Sequence, residues 1–309
     1  MKLISVMTAC YNEEENIAEI YRQVKEVFQK IPNYHYEHIF IDNASKDRTI
    51  PILKEIAAAD KQVKIIVNTR NFGHIRSPFY GLLQARGEAV ISVVADLQDP
   101  PGLIRDFIQK WEQGYKIVVG VKKRSQEARW MFGIRQLFYN LIGRLSEIKQ
   151  IPNFTGFGLY DRQVIEILKK IDDPYPYFRG LICDLGFEIA EIEYSQPARK
   201  KGRTKNNFYA LFDMALLGIT NHSKVPLRLA TMLGFSVSIA SAGFALGYFV
   251  YKLIYWNSFS VGIAPLVIGL FFFSAVQLFF VGIIGEYIGS IHTQVLKRPL
   301  VIEKERVNF

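Results

Sequence analysis

Asp96-Leu97-Gln98-Asp99-Pro100-Pro101 holds the residues of this chain best suited to chemistry. The hexapeptide follows an apolar run, Ala89 to Ala95 (AVISVVA), that reads as a buried strand. The two prolines end that strand and suit the first turn of a helix. Asp96 and Gln98 then sit where a strand meets a loop. Two oxygen ligands, one of them anionic, suit a hard divalent cation, Mg2+ or Mn2+, that keeps further positions for phosphate oxygens. Other polar groups follow other apolar runs: Tyr11, Asn12 and Glu13; Asp42, Asn43 and Ser45; Arg70, Asn71 and Gly73. A carboxylate such as Asp42 can accept from a base N–H or a ribose hydroxyl, and Tyr11 can stack on a base. Each group alone reads equally well as a turn or cap. Four of them at one sheet edge make a site.

The elements that must position these residues alternate in type. Leu3–Ala9 reads as a strand and Glu13–Lys30 as an amphipathic helix, with Asn12 as its N-cap and three glutamates at its positive end. His38–Asp42, Val63–Asn68, Ala89–Ala95 and Lys116–Val121 read as further strands with helical segments between them. This βαβα order predicts an α/β fold with a mostly parallel sheet and helices on both faces. Ligands of such sheets bind beyond the carboxyl ends of the strands. No G-x-G-x-x-G and no P-loop lysine motif is present, which argues against a dinucleotide-binding dehydrogenase or an NTPase.

The chain has 309 residues, half of them hydrophobic, and a net charge of +9, which favours an acidic partner such as nucleic acid, anionic lipid or a phosphorylated substrate. The basic residues concentrate beside apolar segments, so nucleic acid is not expected. Cys10 and Cys183 show neither metal-ligand spacing nor a disulfide framework. Leu229–Tyr251 and Leu253–Gly285 contain no charge, and each is long enough to span a bilayer. The turn between them falls near Trp256-Asn257-Ser258. Arg199, Lys200, Lys201, Arg203 and Lys205 before the hairpin, and Lys297 and Arg298 after it, place both termini in the cytosol. Asn206–Thr220 has an apolar face at helical spacing and fits an interfacial helix. The expected organisation is a cytosolic domain over 1–205, interfacial helices over 206–225, transmembrane helices over 228–254 and 262–290, and a cytosolic tail over 291–309. Gly243-x-x-x-Gly247 and Gly285-x-x-x-Gly289 hint at a homo-oligomer. Glu286 is costly in hydrocarbon and is placed at the cytosolic boundary.

The chain resembles the family 2 glycosyltransferases with a GT-A (Rossmann-like) fold, and more narrowly the polyprenyl-phosphate glycosyltransferases. The residues that carry the resemblance are Tyr11-Asn12-Glu13-Glu14, Asp42-Asn43-Ala44-Ser45-Lys46-Asp47-Arg48-Thr49, Arg70-Asn71-Phe72-Gly73, Asp96-Leu97-Gln98-Asp99-Pro100-Pro101, Arg199-x-x-Gly202-x-x-Lys205 and Gly285-Glu286-Tyr287-Ile288-Gly289. The resemblance implies a nucleotide-sugar pocket lined by Ala9, Tyr11, Asn12, Glu13, Asp42, Asn71, Ala95 and Asp96. It implies a cation on Asp96 and Gln98, catalytic roles for Asp96, Arg124 and Arg135, and an acceptor phosphate among Arg124, Arg129, Arg135, Arg199 and Lys205. It thereby implies an integral protein of the inner membrane that moves a hexose, with inversion, from a UDP-sugar to polyprenyl (undecaprenyl) phosphate. Another acceptor, diacylglycerol or a glycan, and a non-catalytic nucleotide-sugar-binding module are the alternatives.

Two departures from the family pattern bear on mechanism. Many relatives carry an acid where Val94 stands, and many have Asp-Phe-Arg-Leu where this chain has Gly156-Phe157-Gly158-Leu159. A base proposed at that acid therefore has no counterpart at Gly156. Gln126-Glu127-Ala128-Arg129-Trp130 matches the Q-x-x-R-W pattern of processive synthases but follows the fifth strand directly, and reads as coincidence.

Overall fold

The computed structural model describes residues 1–123, 151–196, 225–255 and 263–309. The strands are β1 (Lys2–Cys10), β2 (Tyr34–Asp42), β3 (Val63–Asn68), β4 (Ala89–Val94), β5 (Ile117–Lys122), β6 (Phe154–Asp161), β7 (Ile189–Tyr194) and β8 (Glu303–Val307). They form one sheet in the order β7-β5-β6-β4-β1-β2-β3-β8. β4, β1, β2 and β3 run parallel to one another, as do β5 and β7, while β6 is antiparallel to β4 and β5 and β8 is antiparallel to β3. The central strands are buried on both faces, which is why they read as continuous Val/Ile/Ala runs rather than alternating ones.

Helices cover both faces, as the alternating pattern predicts. They are α1 (Ile17–Gln29), α2 (Thr49–Ala59), α3 (Gly73–Leu83), α4 (Ile104–Glu112), α5 (Arg162–Lys170) and α6 (Phe178–Asp184). One core gathers Ile20, Val24, Leu53, Phe107 and Trp111 from α1, α2 and α4. The opposite core gathers Phe79, Leu82, Val164, Leu168 and Ile182 from α3, α5 and α6. The chain winds outward from β1 through β2 to β3, then returns to place β4 on the other side of β1. That reversal is the topological switch point, where doubly wound sheets open a crevice. Ala9 and Val94 stand opposite each other at its carboxyl edge.

Two expectations change, and one departure from the family pattern gains a steric reason. The first helix starts at Ile17, not Glu13, and Asn12 does not cap it: Asn12 has φ 54° and its Oδ1 accepts from Lys46 N at 2.8 Å. The tail is not merely a tail. Glu303–Val307 pairs with the free edge of β3, although the sequence Glu-Lys-Glu-Arg-Val carries no apolar alternation. Gly158 cannot be replaced by the arginine of the family pattern without moving β5, because a Cβ there would meet Val118 O at 2.4 Å.

Two long helices follow, α7 (Val225–Ile254) and α8 (Ile263–Val295). They pack against each other and expose their large apolar side chains, among them Phe235, Phe244, Leu266 and Phe279. Among the described residues one stretch, Gly269–Leu296, is long and apolar enough to cross a membrane, with mean hydropathy 1.8 and none of it buried within the chain. The apolar stretch in α7, Val225–Ser241, is shorter.

Candidate active site

The loops after β1 and β2 are laced together. Asn12 N donates to Ser45 Oγ and Glu13 N to Thr49 Oγ1, both at 2.8 Å. Glu14 N donates to Asp47 Oδ2 at 3.2 Å, and Arg48 N returns a bond to Glu14 Oε2 at 2.9 Å. Asp42 anchors this lacing from beneath. It is fully buried, and its carboxylate accepts from Ser45 N at 2.8 Å and from Ser45 Oγ. Burial pushes its carboxyl above the usual range, and the hydrogen bonds from Ser45 oppose that rise. Asp42 therefore shapes the loop through Ser45 rather than presenting a bare carboxylate.

Asn43 is a second hub. Its Nδ2 donates to Asn71 Oδ1 at 2.9 Å and to Gly73 O at 3.0 Å. Its Oδ1 accepts from Phe72 N at 2.8 Å and from Asn68 Nδ2 at 3.2 Å. Asn71 Oδ1 also accepts from Gly73 N at 2.7 Å. Asn71 thus braces the start of α3, a role its position in the sequence does not reveal. Arg70 lies with its guanidinium 4.0 Å from the centre of the Phe72 ring.

Asp96 and Gln98 sit half-buried at the end of β4, and Asp96 Oδ1 accepts from Gln98 N at 3.2 Å. Asp99, two per cent exposed, accepts from Tyr194 OH at 2.6 Å. Burial pushes its carboxyl up to about 6; the nearby Asp96 adds to the rise, and Tyr194 and Lys122 oppose it. The Asp99–Tyr194 pair ties the acidic loop to β7, a link hidden from sequence reasoning by a separation of 95 positions. Val94 is 41% exposed, so a large apolar side chain stands at the mouth of the switch point.

Backbone strain collects at the same edge. Asn12, Ala44 and Leu97 have φ of 54°, 63° and 60°, one in each of the loops after β1, β2 and β4. Such conformations cost roughly 1–2 kcal/mol in residues with a Cβ and persist where surrounding bonds over-determine them, often at ligand sites.

The donor set bears on a cation. Among the described residues no group of three or more His, Cys, Asp or Glu side chains is placed to close a metal shell. Asp99 is engaged by Tyr194, and Val94 offers no ligand atom. A cation on Asp96 and Gln98 would take its remaining ligands from water and phosphate oxygens, which is how Mg2+ is commonly held. The residues present fit that mode.

Of the other expected site residues, Tyr11, Asn12 and Glu13 are half-buried beside the Asp42 loop, with Asn16 Nδ2 donating to Glu13 Oε2 at 2.8 Å. Ala95 turns its methyl into the core, three per cent exposed, so only its backbone can face a ligand. Arg124, Arg129, Arg135, Arg199 and Lys205 lie outside the described residues, as do Gln126–Trp130, residues 206–224 and Trp256-Asn257-Ser258.

A cavity of ≈ 200 Å³ adjoins this edge on the α3 face. Val94 and Ser92 of β4, Thr155, Gly156 and Phe157 of β6, and Phe178 and Arg179 of α6 line it. Gly156 has φ 101°, and a Cβ there would meet the Phe178 ring at 3.6 Å. No sequence signal marks Arg179; only the packing of α6 against β6 brings it here.

Residues 5–168 match the family described as Glycosyl transferase family 2. The glycosyltransferase YkcC of Bacillus subtilis is 38% identical over 96% of this chain and 92% of its own length. The SfII prophage-derived bactoprenol glucosyl transferase of Shigella flexneri is 35% identical over 98% and 97%. The prophage bactoprenol glucosyl transferase homolog of Escherichia coli K12 is 34% identical over 97% and 98%. A strand-end site at the switch point, a family match over more than half the chain and similarity along nearly its whole length agree: the chain belongs to glycosyl transferase family 2 and is a glycosyltransferase.

Proposed function

We propose that the protein transfers a hexose from a UDP-sugar to polyprenyl phosphate at the cytosolic face of a membrane, with inversion. The observation that carries the acceptor is the cavity lined by Val94 at the end of β4. Among the described residues no carboxylate lines it and glycine stands at 156, which leaves His74 at the start of α3 as the lining's one general-base candidate. A sugar or glycerol hydroxyl must lose its proton as it attacks and calls for a base there. A phosphate monoester does not: its second pKa is ~6, so it arrives with a nucleophilic oxygen already bare. Attack forms the bond from phosphate oxygen to the anomeric carbon. The bond from that carbon to the donor diphosphate breaks, and its electron pair leaves on the diphosphate. A single displacement inverts the carbon. The named relatives that act on bactoprenol support the same acceptor.

In this reading Tyr11, Asn12 and Glu13, on the loop fixed by Asp42 through Ser45, receive the nucleotide. Asp96 and Gln98 hold Mg2+ or Mn2+, which when bound stabilises the departing diphosphate electrostatically. Arg124, Arg129, Arg135, Arg199 and Lys205 are assigned to phosphate. The helices α7 and α8 form a membrane hairpin with both chain termini cytosolic. Gly243, Gly247, Gly285 and Gly289 face open space, where a second copy can approach closely.

The test is to incubate purified protein with undecaprenyl phosphate, Mn2+ and a panel of UDP- and GDP-sugars and to seek a glycolipid by mass spectrometry. A product from one UDP-sugar is expected. Product with diacylglycerol in place of undecaprenyl phosphate, or UDP binding with no product from any acceptor, overturns the reading.

A further inference from the structure

The cavity beside the switch point has a wall that the reaction scheme above does not use. Arg179, at the start of α6, is half-buried there, with Nη1 3.4 Å from Phe154 O and its guanidinium over the Tyr177 ring at 5.9 Å. Around it stand Val94, Gly156, Phe157 and Phe178. An apolar hollow with a guanidinium in its wall and no carboxylate among its described residues complements a ligand that is anionic at one end and hydrocarbon beyond it.

The hollow also lies towards the apolar helix. The segment leading into α6 is tied to the end of α8: Gln294 Nε2 donates to Asp173 Oδ1 at 2.9 Å, and Lys297 pairs with Asp172 at 3.6 Å. The other wall is tied to the same segment, since Arg76 Nε on α3 donates to Pro174 O at 3.0 Å. A polar sugar nucleotide needs neither an apolar wall nor this placement. A lipid phosphate needs both.

Resting on the acceptor reading above, we propose that this cavity admits the phosphate-bearing end of the lipid acceptor and that Arg179 is a phosphate-binding residue. Val94 and Phe178 then face the first hydrocarbon of the lipid.

Arg179→Gln and Arg179→Lys are compared with the wild type in detergent, using undecaprenyl phosphate and the sugar donor the wild type accepts. For Arg179→Gln the KM for undecaprenyl phosphate is expected to rise about ten-fold or more, the loss of one charge-assisted contact. The KM for the donor, UDP binding by calorimetry and the thermal midpoint stay unchanged. Arg179→Lys keeps the charge without the fork and falls between the two. Should Arg179→Gln not fold, the lysine variant alone decides the matter. An unchanged lipid KM overturns the proposal, and so does a rise confined to the donor KM, which would make the cavity a sugar pocket. A wild type that makes no product from undecaprenyl phosphate overturns the acceptor reading itself, and the assignment with it.

Discussion

Asp42, Asn43 and Asp96 occupy equivalent strand ends yet do different things. Asp96 is half-buried in the loop after β4 and is the carboxylate we propose for the cation. Asp96→Asn is expected to abolish transfer and to weaken Mn2+ binding, read by calorimetry, while the thermal midpoint holds; full activity in that variant removes the metal role. Asn43 is buried and satisfies partners from three segments. Asn43→Ala leaves Phe72 N and Asn68 Nδ2 without their acceptor, at about 1–3 kcal/mol for each buried group left unpaired. The expected result is a lower thermal midpoint together with weaker UDP binding, because the start of α3 loosens. A fall in stability with UDP binding intact would separate Asn43 from the site.

At the scale of elements, β8 is the piece that joins the two ends of the molecule. It closes the β3 edge, which would otherwise present a row of unpaired backbone groups. Its flanks are pinned too: Thr69 N donates to Ile302 O at 2.9 Å, and Asn308 Nδ2 donates to Ala57 O at 2.7 Å and Val63 O at 2.9 Å. Tyr80 OH of α3 donates to Glu303 Oε1 at 2.7 Å, so the tail also holds a wall of the cavity. Deleting residues 302–309 removes these bonds at roughly 1 kcal/mol each. The thermal midpoint is expected to fall by about 2–4 °C per kcal/mol lost. An unshifted midpoint would show that the tail strand contributes nothing.

At the scale of the whole molecule, stability carries a pH dependence set by a buried histidine outside the site. His38 is fully buried in β2, with Nε2 3.0 Å from Thr8 Oγ1, and burial pulls its pKa down to about 3. Below pH ~6.5 the unfolded chain protonates this histidine while the folded chain does not, so stability falls as pH falls from ~6.5 towards 3. The slope is about 1.4 kcal/mol per pH unit within that window. Between pH 6.5 and 5 the thermal midpoint should drop, and His38→Gln should flatten the drop. Parallel curves for the two proteins would refute the assignment.

Periodicity and punctuation determined the sheet: buried runs at Leu3–Ala9, Val63–Asn68 and Ala89–Ala95 fall on β1, β3 and β4 within a residue or two. A strand buried on both faces has no choice but to be apolar throughout, so it announces itself. The polar strand ends were legible for the same reason, since a chain leaving such a strand must meet water or a ligand. Tertiary structure alone decided what each polar residue does. Asn12 looks like a cap, but its bond to Lys46 fixes it otherwise, and Asp42 turns out to anchor its own loop through Ser45. Tyr194 finds Asp99, and Glu303–Val307 finds β3, across separations where no local pattern operates. Those pairings follow from which edges and oxygens the folded domain leaves unsatisfied, a property of the assembled sheet that no window of the sequence contains.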